Sequence, residues 1–162
     1  MITVVQVASY ICERFQKDFG HRIDEMKLHK LLYFMQRECI VQTGEPLFDS
    51  VFHAWKYGPV IPEIRSLYKS DSLHQLPSAE DIKKYQTIFD TVFSEYAASH
   101  SLTLSSITHG ELSWQRARIG YAKYDDSDEP MSLSDIREDA ERFKQRCLLL
   151  KLREERLKNI KN

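Results

Sequence analysis

Apolar residues recur at three- and four-residue steps in several separate stretches of this chain, the spacing that places side chains on one face of an α-helix. In the first stretch Val4, Val7, Ala8, Ile11 and Phe15 share a face. They predict a helix over residues 3–17, with Thr3 placed to accept from an orphan amide of the first turn and Gly20 placed to stop it. The second stretch predicts a helix over residues 24–42. Leu28, Leu31, Leu32, Met35 and Cys39 make one stripe, and Tyr33, Phe34 and Ile40 widen it to other sides. A helix that is apolar on more than one side belongs in the centre of a bundle. Asp24 suits its N-cap, and Gly44 the left-handed position beyond its end.

Between Leu47 and Tyr57 the helical period disappears. Val51, His53, Trp55 and Tyr57 fall on one side of an extended chain, and Phe52, Ala54 and Lys56 on the other. This predicts a short strand or hairpin that Gly58-Pro59 ends. Pro62 and Glu63 then open a short helix to Lys69, since proline fits a first helical turn and an acid its positive end. After a polar loop, Ser78 caps a fourth helix with Ile82, Tyr85, Phe89, Val92, Phe93 and Tyr96 on its stripe. Two short helices follow at 102–109 and 114–119, then an acidic loop over 121–129. Ser132 caps a last long helix with Leu133, Ile136, Ala140, Phe143, Cys147 and Leu150 in line. The expected fold is mainly α: a compact helical bundle with a small β hairpin between the second and third helices. One domain is expected over residues 1–150, with a charged helical tail over 151–162. Leu148 to Ile160 carry more apolar surface than a solvated end needs, which leaves self-association, partner contact and local packing open.

Composition narrows the classes. The 162 residues are 42% hydrophobic and 29% charged, ordinary for a globular domain able to bury its own core. The formal net charge of −1 argues against a general nucleic-acid binder, which needs a concentrated basic surface. Cys12, Cys39 and Cys147 are odd in number and far apart, so neither a disulfide framework nor a metal site is expected, and all three read as small core hydrophobes. No apolar run is long enough for a membrane span and the first residues do not read as a signal peptide, so a cytoplasmic protein is expected.

The residues that could carry chemistry each have a plainer reading beside the functional one. Trp55, Lys56, Tyr57, Gly58 and Pro59 read either as an aromatic loop that grips a partner or as a plug and turn, with Trp55 filling the bundle. His109, with Trp114 nearby, lacks a partner at fixed spacing to make it a base or ligand. A helix-end histidine bonded to a backbone carbonyl or neighbouring loop is the simpler reading. Lys27, His29, Lys30, Arg37 and Lys56 read as a basic patch or, more simply, as the solvated face of a helix. The run Asp125 to Glu129 reads as a grip for a basic partner surface or a calcium chelate, but it lacks the glycine and distal glutamate of a calcium loop, and a solvated loop is the plainer reading. No nucleophile–base pair, phosphate loop or metal-ligand spacing is present, so no catalytic residue, metal or cofactor is expected.

Five blocks, in order, resemble a known family. Lys27 to Tyr33 matches a K-L-x-K-L-L-Y pattern, Gly44 to Phe48 a linking pattern, and Ala54 to Glu63 (AWKYGPVIPE) a turn and helix start. Leu104 to His109 followed by Trp114 matches an L-S-x-x-T-H…W element, and Ser134 to Phe143 its closing helix. This order is similar to that of the Panacea antitoxin domain, the SocA-like phage-associated proteins of prokaryotic toxin–antitoxin systems. His29 stands where glutamine is commoner, and Gly110 to Ser113 stand where a proline often precedes the tryptophan. The resemblance implies a non-enzymatic antitoxin that binds a separately encoded toxin, by covering its active surface or by delivering it to a cellular protease. Homodimerisation is a further expectation. The competing reading is a nucleic-acid-binding regulator of its own operon. The partner-binding residues expected on this basis are Trp55, Lys56, Tyr57, Gly58, Pro59, Glu63, His109 and Trp114.

Overall fold

The computed structural model describes all 162 residues. Its axis is helix α2 (Glu25–Thr43), in which every residue from Lys27 to Ile40 is buried. Around it pack α1 (Val4–Phe19), α3 (Pro62–Lys69), α4 (Ala79–Val92), α5 (Ser101–His109) and α7 (Leu133–Lys161), with the short α6 (Leu112–Ala117) bridging α5 and α7. The fold is mainly α, with one small antiparallel hairpin of β1 (His53–Trp55) and β2 (Gly58–Val60) between α2 and α3.

Local signals set the helix ends. Thr3 accepts from Gln6 N while the Gln6 side chain returns the bond to Thr3 N, a capping box. Asp24, Ser78 and Ser132 cap α2, α4 and α7 through bonds to Lys27, Asp81 and Asp135 amides. Gly20 and Gly44 close α1 and α2 in the left-handed conformation. The core then joins the apolar stripes: Val7, Ile11 and Phe15 of α1, Leu28 to Met35 of α2, Phe48, Phe52 and Ala54 of the hairpin arm, and Phe89 and Val92 of α4.

Several expectations are corrected. Gly58 and Pro59 do not end the extended segment; with Val60 they form its second strand, leaving Lys56 and Tyr57 as the two-residue turn. Phe52 and Ala54 point inward and Val51 and Tyr57 outward, so Trp55 lies half-buried at the rim and does not plug the bundle. Lys27, His29, Lys30 and Arg37 form no solvated or basic face: α2 is enclosed on every side, so its polar residues are buried with its apolar ones. Helix α4 continues into a π-helical turn at Phe93–Ala97, whose extra residue brings Tyr96 flat against Phe34, ring centroids 4.0 Å apart. In α7 only Ile136, Asp139 and Ala140 are buried; Leu133 and Leu150 of the expected stripe are exposed, because the helix runs on past the body that would cover them. Of the cysteines only Cys39 is buried, Cys12 and Cys147 being half-exposed.

Gly58 is the tightest backbone position in this arrangement. It adopts φ +117°, and a Cβ there would stand 2.5 Å from Lys30 Cε and 2.6 Å from Thr108 Oγ1. Both the left-handed conformation and the close approach of two helices demand glycine. Gly44 has φ +80° but open space around its Cα. Gly58→Ala is therefore expected to lower unfolding stability by about 2–4 kcal/mol, strain and overpacking together. Gly44→Ala should cost only about 1 kcal/mol, from strain alone. Urea unfolding of the two variants measures the difference, and equal losses would refute the close-approach account.

Candidate functional site

The hairpin that carries the Trp55-Lys56-Tyr57 segment is too short to hold itself, since an isolated two-stranded hairpin is marginal in water. Four side chains, from α2, α5, α6 and the residue that closes α6, hold it by its carbonyls. Arg118 Nη1 donates to Ala54 O (3.0 Å), Trp114 Nε1 to Trp55 O (2.8 Å), Ser105 Oγ to Tyr57 O (2.6 Å) and Lys30 Nζ to Pro59 O (3.2 Å). On the outer side Ala54 N donates to Glu129 O and Met131 N to Phe52 O, which seats the acidic loop against β1. The Trp55 indole N–H donates to Asp128 Oδ1 at 2.9 Å. Other donors of Arg118 reach Ala122 O, Lys123 O and Asp125 O, so one guanidinium fastens both the hairpin and the loop beside it.

A second buried network fixes the donors themselves. Arg37 Nη1 donates to Glu111 Oε1 at 3.1 Å and Nη2 to Tyr96 Oη at 2.7 Å. The Tyr33 hydroxyl stands 2.8 Å from Glu111 Oε2 and 2.8 Å from Asp139 Oδ2. Asp139, from α7, accepts from Leu112 N and Ser113 N and so caps α6 from outside, which sets the position of Trp114. One hydroxyl proton cannot serve two carboxylates; both contacts are satisfied when one carboxyl keeps its proton and donates back. Burial pushes the Glu111 carboxyl up, against the opposing Arg37 charge.

Beside the hairpin lies a cleft of about 750 Å³. Its walls are Trp55, Lys56 and Tyr57 of the hairpin, Glu25, His29 and Lys30 of α2, Pro62 and Arg65 of α3, and Tyr121, Asp126 and Asp128 of the loop. Arg65 Nη1 pairs with Glu25 Oε2 at 2.7 Å and its guanidinium lies 5.3 Å from the Trp55 ring centre. Lys56 Nζ reaches Asp126 at 3.4 Å. Tyr57 is 47% exposed, at the tip of the turn. The expected site residues thus separate. Trp55, Lys56 and Tyr57 come together on the cleft. Gly58, Pro59 and Trp114 are buried behind it, Glu63 is exposed on α3 outside it, and His109 is half-buried with its ring stacked on Trp114 at 4.1 Å and 19°. Burial lowers the His109 imidazole, against a hydrogen bond to the Lys56 backbone in the neighbouring turn, which agrees with the backbone-bonded helix-end histidine expected here; its ring also stacks on Trp114.

Of the residues that position the turn, Ser105 and Arg118 did not stand out as site residues in the sequence, while Lys30 was read within a basic patch and Asp128 within a solvated acidic loop. Their partners lie 29, 48, 64 and 73 residues away in the chain, beyond any local pattern. Lys30 and Ser105 sit within the blocks that resemble the Panacea pattern, which was the one available signal.

A family model described as "Antitoxin SocA-like, Panacea domain" matches residues 28–115, more than half of the chain, from the first turn of α2 into α6, and so includes the hairpin clamps Lys30, Ser105 and Trp114. Among curated proteins, Antitoxin SocA of Caulobacter vibrioides (strain NA1000 / CB15N) is 39% identical over 49 residues, which is 30% of this chain and 26% of that protein. The chain thus spans about a quarter of the length of the curated relative it matches. No solved structure matches.

Lys30 gives the site a pH signature. Burial pushes its ammonium down from 10.5 to about 7, with the Glu25 and Asp24 charges opposing the shift. Between those two values the unfolded chain binds a proton that the folded chain does not, so this residue makes stability rise with pH across that window. Below the window both states are protonated and the contribution is flat. The slope limit is about 1.4 kcal/mol per pH unit. Relative to Lys30→Met, the wild-type protein should gain about 2 kcal/mol between pH 7 and pH 9 in urea unfolding. Parallel pH dependences of the two chains would show that Lys30 keeps its charge.

Proposed function

The chain belongs to the SocA-like, Panacea-domain antitoxin family, and from that membership we propose that it neutralises a toxin by binding it directly through the Lys56-Tyr57 turn and the rim of the adjoining cleft. The observation that carries this reading is an exposed aromatic on an immobilised backbone. Tyr57 presents its ring to solvent while Ala54, Trp55, Tyr57 and Pro59 carbonyls are each held by a buried donor. A rigid turn gives up little conformational entropy on binding, and Tyr and Trp anchors dominate interface energetics for that reason. A stable complex would bury about 800 Å² on each partner, more than the turn offers alone, so rim groups such as Tyr121 and Asp126, and Glu63 on α3 beyond the cleft, take part.

Such binding suppresses a toxin in either of two ways: by covering its active surface, or by holding it for delivery to a protease. Neither needs a reacting side chain on this protein. The regulator reading is the weaker one, because it relied on a basic face of α2, and Lys27, Lys30 and Arg37 are committed to Ala97 O, Pro59 O and Glu111 inside the protein.

Co-expression with each neighbouring open reading frame tests the proposal. One of them is expected to be toxic alone and harmless beside this gene. Tyr57→Ala should weaken capture of that toxin by at least about 2 kcal/mol and restore toxicity, with an unchanged melting curve. If no neighbour is toxic, or every toxic one stays toxic in co-expression, the antitoxin assignment fails. If Tyr57→Ala binds normally, the contact lies elsewhere on the surface.

A further inference from the structure

Helix α7 leaves the body of the protein carrying apolar surface that nothing covers. Its buried residues end at Ala140, Phe143 and Cys147 are half-buried, and every residue from Leu148 to Lys161 is exposed. Leu148, Leu149, Leu150, Leu152, Leu157 and Ile160 are between 49% and 75% exposed. No glycine or proline interrupts the helix between Leu133 and Lys161, so it has no point at which to bend back onto the body. A projecting segment of about four turns is marginal as a helix in water and gains stability by burying its apolar side chains. The segment is also basic where the body is acidic. Residues 142–161 hold eight lysines and arginines against two glutamates, while residues 1–141 hold fifteen against twenty-two acids. The formal charge of −1 on the whole chain hides this division.

The placement of these charges limits what can cover the helix. Phe143, Cys147, Leu150 and Leu157 follow at steps of four, three and seven and make one stripe. Arg146 and Arg153 run along one edge of it, Lys151 and Lys158 along the other. Glu154 interrupts the stripe but stands four residues before Lys158, the spacing of a pair along the helix. Two such helices side by side would set arginine against lysine when parallel. Antiparallel, they would set arginine against arginine and lysine against lysine, so the tail of a second copy is a poor cover. The body of a second copy has the opposite charge, but its cleft of about 750 Å³ is too small. A helix about 21 Å long and 10 Å wide fills roughly 1,600 Å³. Leu148 and Leu152 lie on the side opposite Leu150 and Leu157. A membrane surface takes up one face of a helix lying in its plane, which would leave one of these leucine pairs in water. A nucleic acid would meet the bases and leave the leucines unburied. A polypeptide groove covers more than one side of a helix, and acidic side chains along its edges would answer both basic rows.

We propose that the end of α7, residues 146–161, is a docking helix for an acidic polypeptide, one whose apolar surface is edged with glutamate or aspartate. The leucines supply the buried area, and the two basic rows select the partner and its orientation, as the edge charges of coiled coils do. This is a contact surface additional to the Tyr57 turn, and it does not depend on the partner being a toxin.

The test uses the full chain and two labelled heptad peptides, one with leucine at a and d and glutamate at e and g, the other with lysine in place of glutamate. In fluorescence anisotropy the glutamate peptide is expected to bind with a Kd of roughly 1–100 µM, and the lysine peptide at least about ten-fold more weakly. The double variants Leu150→Gln/Leu157→Gln and Lys151→Glu/Lys158→Glu should each weaken the glutamate peptide at least about ten-fold. Their melting curves should stay native, because all four positions lie outside the core. No binding of the glutamate peptide would refute the acidic partner, and equal binding of the two peptides would show an unselective apolar surface. Binding to phosphatidylglycerol vesicles or to a random-sequence DNA duplex at about 0.15 M salt, tighter than to the peptide and lost in either variant, would assign the helix to a membrane or a nucleic acid. A dimer in sedimentation equilibrium that Leu150→Gln/Leu157→Gln dissolves would assign it to a second copy. Each of these results overturns the proposal. Toxin neutralisation is read separately by co-expression, so failure of the peptide to bind leaves the antitoxin reading standing, and failure of neutralisation leaves the helix chemistry measurable.

Discussion

A row of polar side chains enclosed along α2 constrains everything around it. Lys27, Lys30, Tyr33, Gln36 and Arg37 recur at steps of three and one, all inside the protein. A buried polar group without a partner costs more than a typical hydrogen bond returns, so each of these residues dictates where some other element must lie. Lys27 fixes the end of the π-helical turn through Ala97 O, Lys30 fixes β2 through Pro59 O, and Gln36 fixes the arm before β1 through Leu47 N and Phe48 O. Tyr33 and Arg37 fix α6 and α7 through Glu111 and Asp139. The apolar stripes supply the driving force for collapse; the polar row decides which of many collapsed arrangements satisfies every donor.

The hairpin shows what that does for function. Three residues a side give it almost no stability of its own, yet its tip is held in one conformation by donors that enter from α2, α5, α6 and the end of α6. Gly58 makes this possible, since only a residue without Cβ lets the turn descend onto Lys30 and Thr108. The two residues left pointing away from the clamps are Lys56 and Tyr57, which is how an enclosed polar network ends in an exposed aromatic on a stiff support. The buried Glu111–Tyr33–Asp139 contacts extend the same logic to α7, whose first turns are anchored while the rest projects from the body.

Much of the fold was legible in the sequence because it is written locally. Thr3, Asp24, Ser78 and Ser132 cap helices by bonds that span three residues, and Gly20 and Gly44 end them by conformation alone. The hairpin was legible from the alternation of Phe52 and Ala54 against Val51 and Tyr57, though not the role of Gly58-Pro59 as a strand, which depends on Lys30 drawing Pro59 O inward. The buried charges were not legible by composition, because lysine and arginine are rarely enclosed. The sequence did contain the contradiction that reveals them. A helix apolar on several sides has no face left for solvent, so Lys27, Lys30 and Arg37 on that same helix had to be inside and paired. The partners could not be read, since Glu111 and Asp139 lie 74 and 106 residues from the α2 side chains they meet.

The blocks that carry the family resemblance are mostly the clamps. Lys30 and Tyr33 lie in the first block, Gly58 and Pro59 in the turn block, Ser105 and Trp114 in the L-S-x-x-T-H…W element, and Asp139 in the closing helix. Each is buried and acts on another part of the same protein. In this chain the pattern therefore coincides with the residues that hold one turn in place. The cleft rim is a different matter. Arg65, Tyr121, Asp126 and Asp128 stand outside the blocks, and Tyr121, Asp126 and Asp128 are exposed, so they can change without disturbing a single clamp on Lys30, Ser105 or Trp114. A scaffold of this kind separates the buried bonds that hold one turn in place from the exposed chemistry of the surface around it.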